Sequence, residues 1–348
     1  MRSLHDLPGH VFRMIESGVV AEFSTVSAAG VPIDTPTYYF PADDMATIDL
    51  ATGVPNPAKA ERARRNPRVG LLIEGRPEEP VVVIRARAAV RDRDIQSNAL
   101  RYLAETGWEG ISHGITWDAA RLAVTYWSRI ILENTPERVY WWDDHAALDG
   151  PPGVWQADPA TVFPPSDPAP EKRISPGNWT ARPWRDVAED AVRAGGGAHL
   201  SVMDPDGYPL PMRANGLELV DEGFRLAMPQ GTPWALAGKA SLTFAGFRTF
   251  VGEAVPQAAG TVLFRAERAL PQHPSTLDTR QVLQPAEATL AKTRSRLEAE
   301  MARLGQPLPV IPQTAPERTR IARIRMARIA SDAPITGITV EHGNRTTR

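Results

Sequence analysis

The segment from Val20 and the segment from Ala198 follow one pattern, and a chain that repeats a β-rich pattern is expected to fold it twice. AEFSTV and AHLSVM each alternate apolar and polar residues and run into a Gly/Pro turn, Gly30-Val31-Pro32 in the first and Gly207-Tyr208-Pro209 in the second, at an offset of 177 residues. Alternation broken by such a turn reads as strand, hairpin and strand. Further on, PRVGLLIEG (Pro67 to Gly75) matches GKASLTFAG (Gly238 to Gly246) at an offset of 171, so the second copy lacks six residues between these landmarks. VVIRARAAV from Val82 resembles VLFRAERAL from Val262, and helical stretches follow both, DIQSNALRYLAE and EATLAKTRSRLEAEMARLG. Each copy is then expected to return to a strand, in SRIILENTPERVYWW and in ARIRMARIASDAPITGITV, and each opens with a short amphipathic helix, on Val11, Met14 and Ile15 and on Val187, Ala191 and Val192.

Between the copies, seven of the chain's 33 prolines fall within residues 151–170, in PPGVWQADPATVFPPSDPAP. Proline stiffens the backbone and removes donors, so this stretch reads as a linker. The expected organisation is a β-rich α+β chain of two tandem barrels with flanking helices: a first domain over 1–150, a linker over 151–177, and a second domain over 178–348.

Composition removes many chemistries. With no cysteine there is no disulfide, thiolate nucleophile or cysteine-held metal or cluster, and 39 basic against 41 acidic residues leave a net charge of −2, which offers no whole-molecule attraction to nucleic acid or membrane. The start lacks the apolar run of a signal peptide and no stretch reaches the length of a membrane span, so a cytoplasmic protein is expected. The seven histidines show no zincin spacing and Asp143-Asp144-His145 reads as a polar turn, so no metal is expected. No serine sits in a glycine-framed elbow. The arginines of ERTRIARIRMAR alternate with Ile321, Ile324 and Ile329, which fits a half-exposed strand or helix better than a nucleic-acid surface.

The six residues missing from the second copy fall within GVPNPAKAERARRNPRV, where the first copy concentrates its positive charge. A turn of Gly53, Pro55, Asn56 and Pro57 leads into Lys59, Arg62, Arg64 and Arg65, and then Asn66-Pro67-Arg68. Lys59 and Arg62, three apart, share a helix face, and the preceding turn exposes backbone N–H groups at the positive helix end. Such an arrangement suits a phosphate; a merely solvated basic helix is the competing reading.

The hairpin STVSAAGVPIDTPTYYF, the unit IDLATGVPNPAKAERARRNPRVGLLIEG and the strand RIILENTPERVYWW resemble the pyridoxamine-phosphate-oxidase-like, FMN-binding split-barrel superfamily. The resemblance spans nearly the whole chain as a fold, and its specific part covers about residues 17 to 75. It implies that Lys59 grips a cofactor phosphate, with Arg62, Arg65 and the turn residues Thr52, Gly53 and Asn56 around it. Thr35, Thr37, Tyr38 and Tyr39 would lie along the flavin ring, with Tyr38 as a candidate proton donor. Members of this superfamily pair two barrels around the cofactor, so the tandem chain resembles a fused dimer, self-sufficient as a monomer or pairing again as a homodimer. Arg213, Trp234 and Lys239 would then form the second wall. The implied function is FMN-dependent oxidoreduction of a small organic substrate. Relatives of the fold also use a deazaflavin, whose acidic tail would engage Arg64, Arg65 and Arg68, or haem, and some are cofactor-free binding or scaffold proteins. Asp34 and Pro57 depart from the oxidase pattern, so pyridoxamine phosphate is not carried over as substrate.

Overall fold

Strand β1 (Val20–Val26) turns at Gly30, whose φ of 72° lies in the left-handed region that glycine adopts without a Cβ clash, and returns as β2 (Pro32–Pro41). The computed structural model describes residues 3–106, 116–172, 174, 183–193, 197–244, 248–258, 260–270 and 287–330. Strands β3 (Ile48–Gly53), β4 (Arg68–Ile73), β5 (Val81–Arg91), β6 (Arg129–Trp142) and β7 (Gly153–Gln156) follow. Their order is β3-β2-β1-β4-β5-β6-β7, and β3 also pairs with β6, so six strands close into a barrel with β7 on its rim. Phe23, Leu50, Leu71, Ile84 and Val139 fill it. Helix α1 (Gly9–Ser17) buries Val11, Met14 and Ile15 against it, as the spacing predicts. Helix α2 (Ala58–Arg65) fills the link between β3 and β4. Outside the barrel, α3 (Ile95–Thr106), α4 (Trp117–Ala120) and α5 (Val124–Trp127) bury Tyr102, Leu103 and Trp127 against Phe40.

The second copy begins with α6 (Arg185–Arg193), which buries Val187, Ala188 and Ala191 and leaves Val192 exposed. Its strands are β8 (Ala198–Met203), β9 (Pro209–Arg213), β10 (Gly216–Val220), β11 (Gly223–Ala227), β12 (Gly238–Phe244), β13 (Arg248–Pro256) and β14 (Thr261–Ala269), in the order β10-β11-β14-β13-β12-β8-β9. Read from β9, this is the circuit β2-β1-β4-β5-β6-β3 of the first copy, with β10 added. No pairing among the described residues joins β9 to β10 or β11, so the second barrel stays open where the first is closed. The chain is a tandem of split β-barrels with flanking helices.

Two strand matches need correcting. VLFRAERAL is β14, the counterpart of β6, whereas the counterpart of VVIRARAAV is β13. Alternation alone fits either strand, and the match slipped by one. The run from Ala322 is no strand: α7 (Glu287–Leu304) is followed by α8 (Arg320–Ala330), which buries Ile321, Ala322 and Arg325 at helical spacing, and the rest of the expected strand lies outside the described residues. The first sheet runs past residue 150 to Gln156, and Leu297, Met301 and Ile311 join the cores of the first copy rather than the second.

The barrels pack through equivalent strands. Gly70 on β4 lies so close to β9 that a Cβ there would sit 1.8 Å from the Pro209 carbonyl oxygen. Arg68 covers the Tyr208 ring in the hairpin of the second copy, while its counterpart Lys239 donates to the Ala29 carbonyl, 2.7 Å away, in the hairpin of the first. No helix among the described residues is long and apolar enough to cross a membrane.

Candidate functional site

The turn expected to hold an anion is built by backbone. Gly53, the last residue of β3, pairs with Arg129, the first of β6. The Asn56 N–H donates to the Gly53 carbonyl at 2.8 Å and the Val54 N–H to the Ser128 carbonyl at 2.9 Å. The Thr52 hydroxyl donates to the Asn56 carbonyl at 3.2 Å. Pro57 then starts α2 with no side-chain cap, which leaves the first-turn N–H groups for water or a ligand.

Four cations converge here. Lys59 Nζ donates to Thr37 Oγ1 at 3.1 Å and lies 5.9 Å from the centre of the Phe23 ring. Arg62 Nε donates to Thr25 Oγ1 at 2.7 Å. Arg65, exposed, lies within electrostatic reach of Arg62. Arg129 is held against the rings of Tyr126 and Tyr102, at 4.1 and 4.5 Å, and its buried Nε has no hydrogen-bond partner. Its Nη1 would be 3.5 Å from a Cβ at Gly53, so the guanidinium lies over the turn. Among the described residues none of the four forms an ion pair. Burial, with Arg62 and Arg129 nearby, pushes the Lys59 ammonium down to about 7, and burial with Arg65 lowers Arg62 to about 10. A bound anion would relieve this repulsion.

The residues expected along a ring divide by burial. Thr35, Pro36, Thr37 and Tyr38 are half-buried, and burial together with Tyr102 raises Tyr38, which keeps its proton through neutral pH. Tyr39 does not belong with them. It is fully buried under α1, its hydroxyl donating to the Ile15 carbonyl at 2.9 Å.

The residues expected as a second wall lie at the seam. Arg213 is paired with Glu74 at 2.6 Å, Trp234 is buried 5.4 Å from Tyr140 in a core shared by both barrels, and Lys239 is held by Ala29. All three make contacts at the seam between the barrels. Arg64 is likewise engaged, by Asp92 and by the Asp167 carbonyl.

Sequence reasoning missed Arg129 and its two tyrosines. Arg129 opens a strand that had been singled out, but only the β3–β6 pairing carries it to the turn, which is 76 residues upstream at Gly53. No group of three or more metal-ligating side chains occurs among the described residues. A cavity of about 610 Å³, between the linker at Pro168–Lys172 and the end of α7, includes none of these site residues.

No family model and no curated protein sequence matches the chain. Solved structures resemble part of it. A conserved hypothetical protein from Mycobacterium tuberculosis is similar over 43% of this chain and 94% of its own, at 21% identity and a TM-score of 0.34. A protein from Clostridium acetobutylicum related to general stress protein 26 and described as of the pyridoxinephosphate oxidase family covers 42% and 91%, at 15% identity and a TM-score of 0.32. A pyridoxamine 5'-phosphate oxidase-related, FMN-binding protein from Nostoc punctiforme covers 40% and 85%, at 14% identity and a TM-score of 0.31. The chain's own strand order makes it two split barrels in tandem.

Proposed function

We propose that the chain is an FMN-dependent oxidoreductase acting on a small organic molecule, with the cofactor phosphate held by Lys59, Arg62, Arg65 and Arg129 at the start of α2. The observation that carries the reading is this group of four cations with no carboxylate partner among the described residues, set beside uncapped helix N–H groups and the hydroxyls of Thr25 and Thr37. All these groups can donate to an anion, and the buried Nε of Arg129 lacks a partner, so the donor set fits a phosphate.

Bound FMN supplies two-electron chemistry between the substrate and a second redox partner. The chain's part is placement. The cations fix the phosphate, the half-buried strip from Thr35 to Tyr38 supports the ring, and the protonated Tyr38 hydroxyl donates a hydrogen bond to a substrate oxygen. FMN is favoured over a deazaflavin because Arg64, wanted for the longer acidic tail, is held by Asp92 and Asp167.

The test is titration of the purified protein with FMN, read by the flavin absorption band and fluorescence quenching. Saturable binding in the wild type that weakens about ten- to a hundredfold in Lys59→Ala supports the reading, as expected when a charge-assisted hydrogen bond of roughly 1.5–3 kcal/mol is lost. A colourless protein that ignores FMN identifies a cofactor-free scaffold instead.

A further inference from the structure

The seam between the barrels is nearly two-fold symmetric, and a charged contact between equivalent positions breaks that symmetry. Glu22 on β1 pairs with Pro36 on β2 and Leu72 on β4. His199 on β8 pairs with Arg213 on β9 and Thr243 on β12. The offsets of 177 and 171 residues carry each partner onto its counterpart, so Glu22 and His199 are one position of the fold. The two meet across the seam. His199 Nδ1 lies 3.3 Å from Glu22 Oε1, and its Nε2 lies 2.9 Å from Glu74 Oε1, which also accepts from Arg213 at 2.6 Å. Glu22 is 7% and His199 4% exposed, so solvent screens the contact little.

A symmetric dimer of either half would set this position against itself, because an isologous interface brings residues near the axis onto their own copies. Glu22 would face Glu22, or His199 would face His199. Like charges in a desolvated seam repel strongly, whereas the heterologous pair attracts. Of the neighbouring contacts, the Glu74–Arg213 pair is asymmetric too, since Arg213 stands where the first copy has Pro36, while others are alike in both senses. Ser24 and Ser201 are also equivalent and are the same residue type, and Arg68 and Lys239 are both cations reaching the opposite hairpin.

We propose that the β1–β2–β4 face of the first barrel is built to accept this chain's own second barrel and to reject a second copy of itself, through the Glu22–His199 contact at the pseudo-two-fold axis. The surrounding charges fit that role. Burial and Glu22 push Asp34 on β2 well above the usual carboxylate range, Glu74 follows β4 with His145 within electrostatic reach, Arg213 ends β9, Lys59 of α2 is within electrostatic reach of Glu22 and Asp34, and β12 and β13 bring the buried hydroxyls of Ser241, Thr243 and Thr249. Glu22 and Glu74 overcome the burial penalty on His199 and keep it cationic.

Two full-length variants recreate the homotypic contacts inside one chain: His199→Glu sets Glu against Glu22, and Glu22→His sets His against His199. The neutral double variant Glu22→Gln/His199→Gln is the reference. At about pH 8, His199→Glu is expected to melt about 6 °C or more below the reference and to recover as the pH falls towards about 5, where the carboxyls take up protons. Glu22→His is expected to behave in the opposite sense, weakest at about pH 5 and recovering at about pH 8 as its imidazoles become neutral. A homotypic variant as stable as the reference at both pH values, or two variants responding to pH in the same sense, would overturn the proposal. If either fails to fold, the single variants Glu22→Gln and His199→Gln with their double complete a mutant cycle, and strictly additive melting shifts would overturn it equally.

Discussion

Lys59 makes its hydrogen bond to an uncharged partner, the Thr37 hydroxyl 3.1 Å away, although Asp34 and Glu22 lie within electrostatic reach. Burial with Arg62 and Arg129 holds the ammonium down to about 7. An anion that binds the charged form should therefore bind more tightly as the pH falls through about 7. Isothermal titration with FMN or inorganic phosphate between about pH 6 and 8.5 should show that rise in the wild type, and Lys59→Met should flatten it.

The same lysine and His199 push stability in opposite directions. Lys59 is lowered in the fold from 10.5 to about 7, so the unfolded chain binds the extra proton between these values and the group's contribution raises stability as the pH climbs through that window. His199 is raised from 6.5 to about 10, so its contribution is complete below 6.5 and is lost as the pH climbs towards 10. Urea unfolding across about pH 6.5 to 10 should show a steeper fall of stability with pH in Lys59→Met than in the wild type, and a shallower one in His199→Gln.

Gly70→Ala should damage the seam more than its size implies. The new methyl would sit 1.8 Å from the Pro209 carbonyl oxygen, and backbone on both sides must move to admit it. A loss of about 1–3 kcal/mol in urea unfolding is expected, as for overpacked cores, while Ala at Gly30 acts only through its left-handed φ of 72°.

Arg129→Met keeps much of the volume between Tyr102 and Tyr126 but removes the donor. Phosphate or FMN affinity should fall by about tenfold or more while the circular dichroism spectrum stays unchanged, since a cation over an aromatic face contributes only about 0.5–2 kcal/mol.

Arg325 of α8 donates to the Gly18 and Val19 carbonyls, both at 2.9 Å, and covers the Tyr39 ring at 5.5 Å. Its replacement by Ala leaves buried carbonyls without that donor, and thermal unfolding should show a loss of about 2–3 kcal/mol. An effect near zero would mean that α8 is not needed to seal the first barrel.

The first hairpin, α1 and the cationic turn were legible because each rests on local chemistry: a glycine at a left-handed turn, an apolar face at helical spacing, a proline ahead of a basic helix. What the sequence concealed depends on who lies opposite. Arg129 joins the candidate site only through β3–β6 pairing, and Tyr39 leaves it because α1 covers that end of β2. Arg213, Trp234 and Lys239 read as ligand contacts until the seam engaged them. Arg325 sits in a stretch whose isoleucines fit a strand as well as a helix until α1, α3 and β2 provide the surface that decides.

The six residues absent from the second copy remove its equivalent of α2, and with it any counterpart of Lys59 and Arg62. Two barrels therefore offer one cationic cradle of the kind proposed to hold the phosphate. Occupancy should follow a simple hyperbola that ends at one equivalent per polypeptide, with a Hill coefficient of about 1, even though the architecture around the cradle is doubled.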